Sequence, residues 1–258
     1  MATSPTGSAD TPAPIPDNDT SSDSDSDKNI SLLEGISTTR SIRRYTDDPV
    51  PSSVLRDICF AATRAPTGSN RQNFRFFVLT DGPVAFKAKQ LIGGAARSMW
   101  SEKRSSDGYD EGGGDAESSP KARLARSMEE YVGSIDDVPA LIFPCLIRHR
   151  PPTPTEGASI YPAMQNLLLA ARALGYGGVT TMWHRLVEDE LVELLDIPDG
   201  VLIAATVTLG KPKGTHGPVR RRPLDRFVYD GVWGDVPDWA VDPPGTSHTG
   251  VPPADQIA

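Results

Sequence analysis

Two arginines three residues apart, Arg40 and Arg43, open the stretch with the greatest chemical content, which reads Arg40-Ser41-Ile42-Arg43-Arg44-Tyr45. The stretch closes on Ala65-Pro66-Thr67-Gly68-Ser69-Asn70-Arg71-Gln72-Asn73. Guanidinium groups stay charged and grip phosphate through two parallel N–H donors, so the first end suits an anion. Asn and Gln carry both donors and acceptors, so the second suits the edge of a polar ring. Another basic run, Arg220-Arg221-Arg222-Pro223, lies far along the chain, and two such clusters can converge on one phosphate. Taken alone, each cluster reads equally well as a solvated surface.

A third candidate is Gly175-Tyr176-Gly177-Gly178-Val179-Thr180, a near match to the dinucleotide fingerprint with Thr180 in place of the third glycine. That fingerprint needs a strand before it and a helix after it, whereas here a long helical pattern precedes it. It reads better as a helix stop followed by a close backbone approach to a flat group, with Thr180 and Thr181 supplying hydroxyl and N–H groups. Other chemistries find no support. His149, His184, His216 and His248 have no ligand spacing, no Gly-x-Ser-x-Gly elbow occurs, and Cys59 and Cys145 sit in apolar segments as reduced, buried thiols. What remains is binding chemistry, in which a cofactor carries out the reaction.

The elements that position these residues follow from periodicity. Val54, Leu55, Ile58, Cys59 and Ala62 share one helical face between the two loops, with Ser52 or Ser53 as the N-cap. Ile30, Leu32, Leu33 and Ile36 form a short apolar stripe that leads into the Arg40 loop. Phe74 to Thr80 reads as a strand that the second loop enters, and Val84 to Trp100 as a helix. Ser159 to Leu174 is the strongest helix, stopped by Gly175. Ala140 to Ile147 is a buried strand in which Pro144 signals an edge or a bulge, and Val201 to Leu209 is a strand buried on both faces. Four to five strands alternating with helices give an α+β or α/β core.

The chain has 258 residues and a formal charge of −8, of which the first 28 residues contribute −5 through six Asp and one Lys. The body is therefore only mildly acidic, and three arginines without interleaved aromatics do not make a nucleic-acid surface. No apolar run reaches the ~18 residues of a membrane helix, and residues 1–28 lack the apolar core of a signal peptide, so a cytoplasmic protein with no membrane partner is expected. The expected organisation is a disordered acidic tail over 1–28, one domain over 29–235, a mobile insertion or lid at about 101–120, and a Pro-rich tail over 236–258.

From Leu32 to Trp233 the chain resembles the FMN-dependent nitroreductase superfamily. Arg40-Ser41-Ile42-Arg43-Arg44-Tyr45 is similar to its opening motif, and Pro49-Val50-Pro51 with the helix that follows also matches. Ala65 to Gln72 is similar to its Ala-Pro-Ser/Thr-x-x-Asn-x-Gln loop, Ala163 to Ala171 to its central helix, Gly178-Val179-Thr180-Thr181 to the loop at the flavin edge, and Arg221-Arg222-Pro223-Leu224-Asp225 to its ending. The resemblance implies a three-layer α+β fold with a central mixed or antiparallel sheet and FMN at a homodimer interface. It implies that Arg40, Ser41, Arg43 and Arg221 hold the phosphate and ribityl chain. Pro66, Thr67, Gly68, Asn70 and Gln72 would approach the ring or ribityl, with Gly178, Thr180 and Thr181 at the ring edge, where Thr181 tunes the flavin through a hydrogen bond to N5. NAD(P)H would act as co-substrate in a ping-pong reaction with a small aromatic or quinone-like acceptor. Thr39 stands where the family often has Arg, and Asn73 where it often has Pro. A deiodinase-like subgroup shares the Thr-Thr loop and an insertion between Gly93 and Asp137. In this chain that insertion lacks the subgroup's Glu-x-x-x-Tyr pair. Reductive dehalogenation and flavin storage without turnover stay open as alternatives.

Overall fold

Six helices and five strands make up the regular structure of the computed structural model, which describes residues 30–107, 109 and 120–244. The helices are α1 (Leu32–Thr38), α2 (Ser52–Ala62), α3 (Pro83–Ser106), α4 (Pro120–Gly133), α5 (Tyr161–Ala173) and α6 (Glu188–Leu194). The strands are β1 (Phe74–Leu79), β2 (Ala140–Ile147), β3 (Gly177–Thr181), β4 (Val201–Ile203) and β5 (Thr206–Gly210). The 1–28 tail, most of the insertion and the last part of the Pro-rich tail lie outside the described residues.

The strands form one sheet in the order β1-β2-β5-β3, with β4 also paired to β2, and every pairing is antiparallel. Alternation along β2 builds two cores. Leu141, Phe143 and Cys145 point to one face, with Ile92 of α3 and Tyr131 of α4, while Ala140, Ile142 and Leu146 point to the other, with Ile58 of α2 and Leu167 of α5. A strand buried on both faces needs a near-continuous apolar run, which β2 supplies. The result is a three-layer α+β architecture.

Several expected boundaries move. The strand expected over Val201–Leu209 is two strands. Cys145 pairs with Ile203 and Ile142 with Val207, so Phe143 and Pro144 face the three residues Ala204, Ala205 and Thr206. Pro144 has no N–H to give, its carbonyl takes the Ala204 N–H at 2.8 Å, and the extra residue is accommodated as a bulge opposite it. Helix α3 continues past Trp100 to Ser106, so residues 101–106 of the expected insertion are helical. Lys103 and Arg104 in its last turn complement the negative helix end, and Glu129 of α4 accepts from both Trp100 Nε1 (2.8 Å) and Arg104 (3.0 Å). The N-cap of α2 is Pro51 rather than a serine, with no side-chain cap. Past the expected domain limit at 235, Asp238–Ala240 forms a 3-10 turn with Ala240 buried. No described helix is long and apolar enough to cross a membrane.

Candidate functional site

The loop carrying Arg40 and Arg43 is tied to the β3 edge of the sheet. Ile42 donates its N–H to the Gly178 carbonyl (3.0 Å), Tyr45 bridges to Pro212, and the Ile42 side chain packs so closely on Gly177 that a Cβ there would meet it at 2.5 Å. A buried hydroxyl chain fixes the loop from beneath. Tyr131 and Tyr45 each lie 2.8 Å from Thr208 Oγ1, and Tyr45 reaches the Ile42 carbonyl at 2.6 Å. The ordering Tyr131 to Thr208 to Tyr45 to the Ile42 carbonyl lets each hydroxyl donate once, so no buried donor is wasted. Burial pushes both phenols above their ordinary range, which keeps them neutral.

Arg40, Ser41, Arg43, Arg220 and Arg221 line one cavity of about 570 Å³, so the two basic runs seen in the sequence meet in space. Arg123, from the first turns of α4, lines it as well. That residue was not legible as part of the site, because nothing in its helix marks it apart from a cluster of basic side chains. An adjoining cavity of about 260 Å³ shares Arg40, Ser41 and Arg43 and adds Arg44, Ser127, Gly214 and Thr215. Among the described residues, no carboxylate lines either cavity. Arg43 is half-buried, and its side chain makes no hydrogen bond or ion pair among the described residues. A guanidinium removed from water without a counter-ion is unfavourable, so this arrangement favours an anionic ligand. At position 39, Thr39 donates its hydroxyl to the Gly35 carbonyl (2.7 Å) and serves the end of α1 instead of the cavity.

Thr180 and Thr181 end β3, on the same sheet edge. Thr181 Oγ1 is buried and has no partner among the described residues. Most buried hydroxyls are satisfied, so this one is open to a partner beyond the described residues. Gly178 has a packing reason of its own, since a Cβ there would lie 2.6 Å from the Thr208 carbonyl oxygen on β5. Gly178→Ala is therefore expected to pry β3 from β5 and lower stability by about 1–3 kcal/mol, read as a drop in the urea midpoint.

The second loop is built differently and lies elsewhere. Ser69, Asn70 and Gln72 all have positive φ (54°, 51° and 50°), a concentration of left-handed residues that surrounding structure must enforce. Thr67 enforces part of it: its carbonyl accepts the Asn70 N–H (2.9 Å) and its hydroxyl accepts the Gln72 N–H (3.0 Å). Asn73 donates its side-chain amide to the Ile147 carbonyl (2.8 Å), extending the β1–β2 ladder by a contact that Pro would lack. Pro66, Gly68, Asn70 and Gln72 are exposed. Because this loop enters β1, it sits at one edge of the sheet, and the Arg40 loop sits at the other, next to β3. Three strand spacings, roughly 14 Å, separate the two edges, and the arginine cavity includes no residue of Pro66–Gln72. Within one chain the two halves of the expected site are not brought together.

Known proteins resemble this chain in sequence and in fold. A Thermus thermophilus protein named NADH dehydrogenase is 28% identical over 206 residues, spanning 73% of this chain and 90% of its own length. An Archaeoglobus fulgidus protein carrying the name NADH dehydrogenase/NAD(P)H nitroreductase is 29% identical over 192 residues, 70% of this chain and 85% of that one. Among solved structures, nitroreductase A from Vibrio parahaemolyticus superposes with a TM-score of 0.58 at 18% identity, covering 81% of this chain and 78% of that one. A Desulfovibrio desulfuricans protein described as a nitroreductase and solved in complex with FMN gives 0.55 at 24% identity, covering 78% and 96%. The sequence profile of the Nitroreductase family matches residues 36–211, which takes in both loops, the whole sheet and all six helices from the end of α1 onward, and this chain belongs to that family.

Proposed function

We propose that the chain is an oxidoreductase that binds FMN, takes reducing equivalents from NADH or NADPH and passes them to a small flat acceptor such as a nitroaromatic or a quinone. The observation that carries this reading is the pairing, on one sheet edge, of a cavity lined by several arginines with the Thr181 hydroxyl, which has no partner among the described residues. A phosphate dianion answers the first and the rim of a heteroaromatic ring answers the second. In this reading Arg40, Ser41, Arg43 and Arg221 hold the phosphate and ribityl, with Arg123 as an additional cation. Gly178, Thr180 and Thr181 line the ring edge. FMN, when bound, would supply the hydride and electron chemistry between the nicotinamide nucleotide and the acceptor, which would use the site in turn. The chain's own contribution is placement and the exclusion of water.

The remaining half of the site would come from a second copy. Pro66, Thr67, Gly68, Asn70 and Gln72 are at the far edge of their own sheet, so a homodimer that sets this edge beside the partner's arginine cavity would complete two equivalent sites. Exposed apolar side chains support such an assembly. Leu33 on α1 is 75% exposed, and Trp233 and Trp239 near the C-terminal end are 90% and 71% exposed. The test is the visible spectrum of purified protein before and after anaerobic addition of NADH or NADPH. A yellow protein that bleaches is expected. A colourless protein that takes up no added FMN would sink the reading, and a yellow protein that never bleaches would point to flavin storage.

A further inference from the structure

The segment over residues 211–221 lines both arginine cavities, with Pro212, Gly214 and Thr215 at the smaller one and Pro218, Val219, Arg220 and Arg221 at the larger. Backbone bonds hold it on either side of His216. Lys213 donates its N–H to the Arg44 carbonyl (3.0 Å) and Val219 to the Ser37 carbonyl (2.9 Å). His216 ties the middle to the start of β3: its Nε2 lies 3.1 Å from the Tyr176 carbonyl and must carry the proton of that contact, because a carbonyl can only accept. A Cβ on Gly177 would meet His216 Cε1 at 3.1 Å and the Ile42 side chain at 2.5 Å. The bare backbone of Gly177 thus seats the imidazole beside the residue that anchors Arg40 and Arg43. Arg40 is close as well, since a Cβ on Gly217 would lie 3.7 Å from its Nη1.

The other ring nitrogen, Nδ1, is buried and has no hydrogen-bond partner among the described residues. In the neutral ring it is a bare acceptor, and in the imidazolium it is a donor. Burial and then Arg172 of α5 hold the His216 pKa below its ordinary value; the Tyr176 and Thr38 carbonyls favour the charged ring, and Arg40 opposes it more weakly. Arg172 is already engaged, donating to Thr38 Oγ1 (3.0 Å) and lying 3.6 Å from Glu34 of α1. Arg40 lines the larger cavity, so of the two it is the charge that a bound anion would offset.

We infer that His216 is a positioning residue for the anion site: as a neutral ring it fixes the 211–221 segment against β3, and it takes up a proton when a dianion enters the arginine cavity. The inference rests on the part of the reading above that puts an anion there. A dianion beside Arg40 offsets the repulsion between that guanidinium and the imidazolium, and adds attraction of its own. The proton goes to Nδ1, and the ring becomes a further positive charge next to Arg40. Because the anion raises the affinity of His216 for a proton, the proton must raise the affinity of the site for the anion by the same factor. The added affinity is complete below the pKa of the free protein and is lost as pH rises through the higher pKa of the complex.

The test dilutes full-length protein saturated with FMN at about pH 6.5 and about pH 8, with free-flavin fluorescence giving the affinity of the wild type, His216→Gln and His216→Ala. Glutamine keeps an N–H for the Tyr176 carbonyl and does not titrate. The ratio of wild-type to His216→Gln affinity is expected to be about threefold larger at the lower pH, and titration of the FMN phosphate itself cancels in that ratio. His216→Ala, which loses the tie to β3, is expected to bind about tenfold more weakly than His216→Gln at both pH values. A ratio that stays constant with pH while FMN binds would overturn the inference and leave the flavin reading intact. Equal affinity of the alanine and glutamine variants would overturn it too. If FMN does not bind, inorganic pyrophosphate titrated calorimetrically takes its place. The same pattern with pyrophosphate would uphold the inference while sinking the flavin reading, and no pyrophosphate binding at millimolar concentration would overturn both.

Discussion

Replacing both Arg43 and Arg221 with alanine is expected to give a folded protein that loses its flavin during purification. The two side chains reach one cavity from segments far apart in sequence. Each charge-assisted hydrogen bond to a phosphate contributes about 1.5–3 kcal/mol, so losing two lowers FMN affinity by on the order of 10² to 10⁴. Little stability should go with it. Arg221 is exposed and its side chain bonds only the neighbouring Arg220 carbonyl, and Arg43 gives up no ion pair. Flavin absorbance per mole of protein and the far-ultraviolet circular dichroism measure the two quantities separately. Full flavin retention would refute the shared phosphate role.

The second large effect concerns acid. His184 is almost fully buried at the turn after β3, and burial, helped by the neighbouring Arg185, pushes its pKa down from 6.5 to about 4. The unfolded chain therefore takes up a proton between those values and the folded chain does not. Stability from this residue is fully present above pH 6.5 and is lost as pH falls toward 4, by about 3 kcal/mol in all. Urea midpoints of the wild type at pH 7 and pH 4.5 should differ by more than those of His184→Asn. Glu156, held below its ordinary range by its hydrogen bonds to Arg148, adds acid lability of its own, but equally in both proteins. Identical pH dependence in the two proteins would show that His184 is not the responsible group.

The helices and strands with strong periodicity were legible in the sequence, and the contacts between remote segments were not. Helix α5 was readable to within two residues because Ile160, Met164, Leu167 and Ala171 keep the helical period and Gly175, with φ of 79°, ends it. The final turns of α3 were not, because Ser101 to Ser106 has no apolar residue, and what keeps them helical is Glu129 on another helix. In the site, the residue types announced an anion and a ring edge. That Arg123 joins Arg40, and that Thr181 is left unpaired, depends on packing that no local pattern encodes. Nor do Ser69 and Gln72 announce positive φ, since neither is a residue that favours it. The spacing of the two loops is spatial information of the same kind. A helix between them sets them apart in sequence, but only the strand order β1-β2-β5-β3 shows that they lie at opposite edges of the sheet.

The hydroxyl chain from Tyr131 through Thr208 and Tyr45 to the Ile42 carbonyl has a thermodynamic consequence for recognition. Ordering a loop of this kind at the moment of binding would subtract from affinity about 1–2 kcal/mol for each backbone residue fixed. Here the segment between Arg40 and Arg43 is already immobilised from the protein interior when the chain folds. In the proposed reading, a ligand at this loop would meet a rigid receptor, and its heat of binding would reflect the contacts it makes rather than loop ordering. A substitution at Thr208, made in the middle of the sheet, is therefore expected to be felt at the surface as a loosened Arg40–Arg43 loop.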